Sequence, residues 1–229
     1  MFGKGYKMKY ALIDWDKTLR KDYTLFCWMD YLTENNIISK KYNINVKNLF
    51  DKYTAGNLTH EQLAEFACLE YSKSITNIDK QFLISISKEY LYTDKLHMYS
   101  FTPKLFDLLN KNNILPIIVS GAPLIIISHY FQDFKIKKVY AFDNDTLKGR
   151  YTGKIKYNYG YNKINIVKKI QKEMQNSPLL SIGDSESDFP MLNVAQYGFI
   201  INKQIKNKNY ISVNEKNILE NIQNILEKQ

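Results

Sequence analysis

Apolar positions along the chain fall into two recurring patterns. Short runs with little polar interruption occur at 10–13 (YALI), 113–121 (NILPIIVSG), 137–142 (KKVYAF), 178–184 (PLLSIGD) and 197–202 (YGFIIN). Near-continuous apolar strands of this kind belong to a parallel sheet covered on both faces. Between them, apolar residues recur at helical spacing. Thr102-Pro103 opens one helix, with Thr102 as cap and proline in the first turn, and it runs through KLFDLLNKN. Another starts at Pro123, after Gly121, and runs through LIIISHYF. A third covers 161–175, with Ile164, Val167, Ile170 and Met174 at helical spacing. The segment 213–229 sets Ile218, Ile222 and Ile225 along one side. The alternation predicts an α/β fold, a doubly wound parallel sheet.

One interval does not fit a plain crossover. More than 80 residues separate Thr18 from Thr102, whereas a strand-to-helix loop is ordinarily about two to six residues. Helical patterns fill it at 24–36, 45–54, 59–73 and 78–92, and GNLTHEQLAEF holds a capping box, Thr59 with Gln62. A helical insert of 20–99 is therefore expected above the carboxyl edge of the sheet, with 1–19 and 100–229 forming the α/β core. That edge is where open α/β sheets bind ligands. A smaller insert, NDTLKGRYTGKIKYN at 144–158, alternates and carries Gly149 and Gly153, which predicts a β-hairpin at the end of the third strand.

Composition narrows the function class. Of 229 residues 45% are apolar, enough for a sizeable core, and 32 basic against 23 acidic residues give a net charge of +9. Only Arg20 and Arg150 are arginines, and the lysines are dispersed along the chain. Lysine is the weaker choice for planar recognition of phosphate and bases, and no compact basic-aromatic block stands out, so no nucleic-acid partner is expected. Cys27 and Cys68 sit in apolar surroundings and read as reduced thiols. The opening MFGKGYKMKY has no apolar signal core, and the window 114–128 is broken by Pro116, Gly121 and Pro123. No membrane span and a cytoplasmic setting are the expectations.

The strand ends carry the chemistry. The first strand ends in Asp14 and Asp16, the second in Ser120-Gly121 before a helix, and the run at 178–184 leads into GDSESD, with Asp184 and Asp188. Lys163 opens the helix before that last strand. Asp14 and Asp16 alone would read as an ordinary polar strand end, and Ser120 alone as a helix cap. In a parallel sheet, however, all these ends meet on one edge. Several carboxylates there need a compensating cation, and Mg2+ is the natural partner because it takes a few carboxylates together with phosphate oxygens. A hydroxyl at a helix start and a lysine supply phosphate donors.

Taken together, DWDKT, SG, the lysine and GDSESD resemble, in order and spacing, the four motifs of the haloacid dehalogenase superfamily phosphatases. GRYTG and GDSESDFPML are similar to the phosphoserine phosphatase-like subfamily with a helical cap. The resemblance implies a Rossmann-like core and a Mg2+-dependent phosphomonoester hydrolase acting on a small phosphorylated metabolite. It assigns Asp14 as the nucleophile that becomes an aspartyl phosphate, and Asp16 as the general acid and then base. Thr18, Ser120, Gly121 and Lys163 are implied to hold the loop and the phosphate. Asp14, Asp184 and the Asp16 carbonyl are implied metal ligands, with Asp188 either a ligand or the group that orients Lys163. A phosphotransferase using the same intermediate and a noncatalytic phospho-ligand binding module are the alternative readings.

In such enzymes the cap reads the leaving group. Asp22 is the candidate for an acidic substrate contact, and residues 21–100 hold no arginine for a substrate carboxylate, so phosphoserine is expected to be a poor substrate. Aromatic residues at 23–28 point to a less charged leaving group, with a sugar, an alcohol and a nucleoside as the alternatives. Trp15 is expected to pack, with contact to cap or substrate open. His60, His97 and His129 lack metal-ligand spacing and are expected at the surface or partly packed.

Overall fold

The computed structural model describes residues 8–160, 163–204 and 210–228. Strand β1 (Tyr10–Ile13) is followed by four helices, α1 (Thr24–Glu34), α2 (Lys40–Thr54), α3 (His60–Ser74) and α4 (Lys80–Asp94), and a 3-10 turn at Lys95–His97. The chain returns through α5 (Thr102–Lys111) to β2 (Leu115–Pro123), α6 (Leu124–Ile127), β3 (Lys138–Leu147) and β4 (Arg150–Tyr157). It continues with α7 (Lys163–Met174), β5 (Leu180–Gly183), α8 (Phe189–Leu192), β6 (Tyr197–Ile201), β7 (Tyr210–Val213) and α9 (Ile218–Leu226).

The strands make one sheet in the order β4-β3-β2-β1-β5-β6-β7. All pairings are parallel except β3 with β4. Successive strand residues point to opposite faces, and β1 uses both: Ala11 and Ile13 join a core with Leu105, Ile182 and Phe199, while Tyr10 and Leu12 join one with Ile166, Val167 and Ile170. Burial on both faces is why the strands read as continuous apolar runs. The chain lays β2, β3 and β4 on one side of β1 and β5, β6 and β7 on the other. The crevice between the carboxyl ends of β1 and β5 is thus the topological switch point, where ligands bind in such sheets.

The four-helix insert has its own core, built on Trp28, Met29, Leu32, Tyr71, Leu83 and Tyr90. Ile126, Phe142 and Tyr151 belong to it as well, so the core extends into α6 and the β3–β4 hairpin. The hairpin is the seat of the insert. The Asn77 amide donates to the Tyr151 carbonyl (2.8 Å), the Tyr151 amide to the Ile78 carbonyl (3.0 Å) and the Lys80 amide to the Gly149 carbonyl (2.8 Å). Asn144 Nδ2 donates to Ser72 Oγ at 2.6 Å.

Several elements differ from the sequence expectation. Helix α2 begins at Lys40 rather than 45; its opening residues Lys40 and Lys41 are exposed and charged, the buried Asn43 is polar, and Ser39 makes no side-chain cap bond, so the start carries little apolar signal. Thr102 does not cap α5; the cap position is Phe101, and the Thr102 hydroxyl donates instead to the Leu19 carbonyl at 2.7 Å. Strand β2 runs through Pro123, and the expected helix is a single turn passing into a 3-10 turn at Ser128–Tyr130. Ile126 faces the insert core and Ile127 the sheet core, so this apolar run bridges two cores instead of forming one face of a long helix. Strand β7 was not expected; four residues at a sheet edge give little periodic signal. The capping box on α3 forms as expected. Residues 161–162 of the expected third helix lie outside the described residues.

Insert and sheet are joined by two chain crossings, and a buried ion pair spans them. Arg20 is fully buried, with Nη2 3.0 Å from Asp94 Oδ1 and Nη1 donating to the Asp22 carbonyl at 2.7 Å. Tyr130 donates to Asp94 Oδ2 at 2.6 Å. Removing one member of such a pair leaves a buried charge uncompensated, which costs about 3–5 kcal/mol. Arg20→Met is therefore expected to lower unfolding stability by about that amount, and Arg20→Met/Asp94→Leu by less than the sum of the single changes. Urea unfolding of the two single variants and the pair checks this.

Candidate active site

The tight turn after β1 places the first two carboxylates. The Trp15 carbonyl accepts from the amides of Thr18 (3.3 Å) and Leu19 (2.8 Å), and Lys17 takes φ 59° to close the turn. The Asp14 amide donates to the Ile182 carbonyl at 3.0 Å, which carries the β1–β5 ladder one residue further and holds Asp14 at the switch point. Asp16 turns the other way, to the N-terminus of α1, where helix amides lack internal partners. Its Oδ1 accepts from the Thr24 amide at 2.9 Å and from the Thr24 hydroxyl, and lies 3.8 Å from Arg20 Nη1.

Lys163, at the first turn of α7, is 3% exposed and donates to Asp14 Oδ1 and Asp188 Oδ1, both at 2.6 Å. The other Asp188 oxygen accepts from the amides of Asp184 (3.0 Å) and Ser185 (3.1 Å). That packing needs glycine at the end of β5: a Cβ on Gly183 would stand 2.4 Å from the Asp188 Cβ and Cγ. A second close approach joins the β2 end to the loop before α7, where a Cβ on Gly160 would meet Gly121 Cα at 2.4 Å.

A pocket opens over these groups. From the sheet edge it is lined by Asp14, Asp16, Ser120, Gly121, Lys163 and Asp184, and from the insert by Tyr23, Leu25, Phe26 and the α3 residues His60, Leu63, Ala64, Ala67 and Cys68. Asn158 and Gly160 complete one side. Tyr23 and His60 also border an outer groove flanked by Lys17, Lys21 and Lys203.

Of the residues singled out from sequence, six thus line one pocket. Thr18 and Asp188 stand behind it. Thr18 is fully buried and donates to Asp14 Oδ2 at 3.2 Å, so it reaches the Asp14 carboxylate and not the pocket wall. Asp22 turns outward and pairs with His97 Nδ1 at 2.8 Å, away from the pocket. Trp15 is fully buried in the sheet core, its ring 5.1 Å from that of Tyr130, and touches no part of the pocket. His129 pairs with Ser87 at 2.8 Å. His60 is partly packed, as expected, against the rings of Tyr23 and Tyr53, and it also lines the pocket, which the sequence reading did not anticipate. The available signal was the spacing 60, 63, 64, 67, 68 on α3, which puts one face of that helix over the strand ends.

The electrostatics are those of an under-compensated acidic cluster. Burial pushes Asp14 up to about 7 in spite of Lys163, and burial with Asp188 and Asp14 nearby pushes Asp184 up to about 8. Burial also raises Asp16 above the usual carboxylate range, against the pull of Arg20 and Thr24. Burial alone would lower Lys163; Asp14 and Asp188 outweigh it and hold the ammonium protonated. Carboxylate oxygens of Asp14, Asp184 and Asp188 lie within 4.8 Å of one another. When all three are ionised they share one lysine, leaving an excess of two negative charges. An all-oxygen donor set with that excess fits a hard divalent cation.

Residues 11–193 match the haloacid dehalogenase-like hydrolase family, and the chain belongs to it. No curated protein sequence matches the chain. Among solved structures, a Bordetella pertussis protein described as of unknown function is similar over 87% of this chain and 92% of its own, at 20% identity and a TM-score of 0.71. A phosphoserine phosphatase, described as a phospho-aspartyl intermediate analogue, matches over 96% and 99% at 18% identity and a TM-score of 0.67. A phosphoserine phosphohydrolase-like protein from Francisella tularensis matches over 88% and 91% at 16% identity and a TM-score of 0.63. At these identities the likeness is one of fold.

Asp184 gives a stability test independent of turnover. Its value in the fold lies above the ordinary carboxylate value, so its ionisation costs stability as pH rises from the carboxylate range toward about 8. In metal-free buffer Asp184→Asn is expected to unfold at a higher temperature than the wild type at pH near 8, with the difference shrinking toward pH near 5. Calorimetry at the two pH values checks it.

Proposed function

We propose that the chain is a Mg2+-dependent phosphomonoesterase that works through an aspartyl phosphate on Asp14, with a small phosphorylated metabolite as substrate. The observation that carries this reading is the separate handling of two carboxylates one residue apart. Asp14 is clamped by Lys163 and Thr18, while Asp16 is held by Thr24 and keeps an elevated proton affinity. One is positioned to attack and the other to carry a proton. The family membership and the fold shared with phosphoserine phosphatases support it.

In the first step an Asp14 carboxylate oxygen bonds to phosphorus as the ester P–O bond breaks, and Asp16 delivers its proton to the departing oxygen. In the second, Asp16 takes a proton from water as the water oxygen bonds to phosphorus, and the Asp14–phosphorus bond breaks to release inorganic phosphate. Ser120, the Gly121 amide and Lys163 hold phosphoryl oxygens, which suits a reaction governed by positioning and charge stabilisation. Asp14, Asp184 and the Asp16 carbonyl would hold Mg2+, which would supply charge neutralisation at the phosphoryl group. Both Asp188 oxygens are already engaged, which supports its role as the positioner of Lys163. The insert of 20–99 serves as the cap over this site. Unpaired Cys27 and Cys68 support a reducing, cytoplasmic setting, and no helix among the described residues is long and apolar enough to cross a membrane.

Two outcomes test the reading. Hydrolysis of a generic aryl phosphate is expected to disappear on exhaustive chelation and to return with Mg2+; full activity after chelation contradicts it. Asp14→Asn is expected to cut turnover by at least about a thousandfold, since an amide is a poor nucleophile. The variant stays folded by circular dichroism, because the change removes one charge from a repelling cluster.

A further inference from the structure

The cap side of the pocket has a chemical character of its own. Leu25 and Phe26 from the start of α1 face Leu63, Ala64 and Ala67 from α3, and none of these carries a polar side-chain atom. No lysine, arginine, aspartate or glutamate from the insert lines the pocket among the described residues. The Asp, Glu, Lys and Arg side chains of the pocket all lie at the sheet edge: Lys163 is committed to Asp14 and Asp188, Asp16 to Thr24, and Asp184 belongs to the acidic cluster proposed to hold Mg2+. Tyr23 offers an aromatic face that could attract a ligand cation, but the Lys17 ammonium already sits 4.0 Å from that ring centre. Asp22, the one acidic candidate near α1, points outward to His97.

Three polar side chains interrupt the apolar wall: the Tyr23 phenol, the His60 imidazole, which burial disfavours in its charged form, and Asn158. Asn158 Oδ1 accepts from the Gly160 amide at 3.0 Å, while its Nδ2 is buried and has no oxygen or nitrogen acceptor. Its near neighbour is the Cys68 thiol, a weak acceptor. A buried donor left in this state calls for an acceptor oxygen on a ligand, and the apolar surroundings favour a neutral one over an anion.

We infer that the leaving group this site accepts is an uncharged, largely apolar alcohol or phenol, seated between α1 and α3, with room for one neutral hydrogen-bond acceptor at Asn158. The inference rests on the phosphomonoesterase reading and goes beyond it by naming the substrate class. A carboxylate or ammonium on the leaving group would be desolvated against Leu25, Phe26, Leu63 and Ala64 with no counter-charge, and burying an unpaired charge is costly. An apolar chain gains from the same burial. A zwitterionic amino-acid phosphate such as phosphoserine incurs both penalties at once.

The test is a matched ester series with the full chain and Mg2+: butyl phosphate, its ω-carboxylate analogue and its ω-ammonium analogue, with phenyl phosphate alongside. The three alkyl esters share a leaving oxygen of similar basicity, so differences report the wall. kcat/KM for butyl phosphate is expected to exceed that of each charged analogue at least about tenfold, equivalent to about 1.4 kcal/mol of transition-state preference. If phenyl phosphate is hydrolysed and a charged analogue equals or leads butyl phosphate, the inference is overturned and the phosphatase reading stands. If no ester is turned over, both fall. Ala64→Asp, a half-buried position on the α3 wall, is expected to raise the ammonium ester relative to butyl phosphate at least about tenfold. A folded variant with an unchanged ratio removes the leaving group from the α3 face and overturns the assignment.

Discussion

The Lys163 ammonium, bonded at 2.6 Å to both Asp14 and Asp188, is the interaction on which the site depends. It brings the end of β1, the start of α7 and the turn after β5 to one point. Without it two buried carboxylates and the half-buried Asp184 would face one another in a medium where burial already disfavours their charged forms. Everything around it serves that contact. Gly183 leaves space for Asp188 against the strand end, the amides of Asp184 and Ser185 fix the remaining Asp188 oxygen, and Thr18 fixes the remaining oxygen of Asp14. The arrangement is stable enough to exist and still short of two positive charges, which is the condition for binding a divalent cation and a phosphoryl group together.

A second constraint is the seating of the helical insert. Its core continues into Phe142 and Tyr151, and its backbone bonds to the β3–β4 hairpin. The α1 end is fixed by Thr24 to Asp16 and by the buried Arg20–Asp94 pair. The Asp16 carboxylate is therefore oriented by the first residue of the element that also supplies Leu25 and Phe26 to the pocket wall. In the proposed mechanism, proton transfer and leaving-group recognition share a single short stretch of chain, residues 16–26.

Much of this was legible in the sequence because it follows from topology. Parallel strands with polar ends put Asp14, Asp16, Ser120, Gly121, Lys163 and Asp184 on one edge, and the structure places all six at one pocket. The long interval after β1 could only be an insert over that edge. Less legible were features that depend on which way a side chain turns. Asp22 and Tyr23 are neighbours, yet only Tyr23 faces inward, since the turn ahead of α1 directs Asp22 to His97. His60 gave no ligand spacing because its role comes from the face of α3 that meets the sheet. Thr102 looked like a cap, but a tertiary partner, the Leu19 carbonyl, took its hydroxyl. Strand β7 was hidden by its brevity, and the apolar run at 124–127 by serving two cores.

The central claim is that Asp14 becomes covalently phosphorylated during turnover. Rapid acid quench of the enzyme with Mg2+ and an aryl phosphate, followed by peptide mass analysis, tests it most directly. The account predicts a phosphoryl group on the peptide carrying Asp14, absent from Asp14→Asn and decaying as substrate is exhausted. Turnover with no phosphorylated peptide when quenching is faster than a single turnover, or with the label on any other residue, would contradict it.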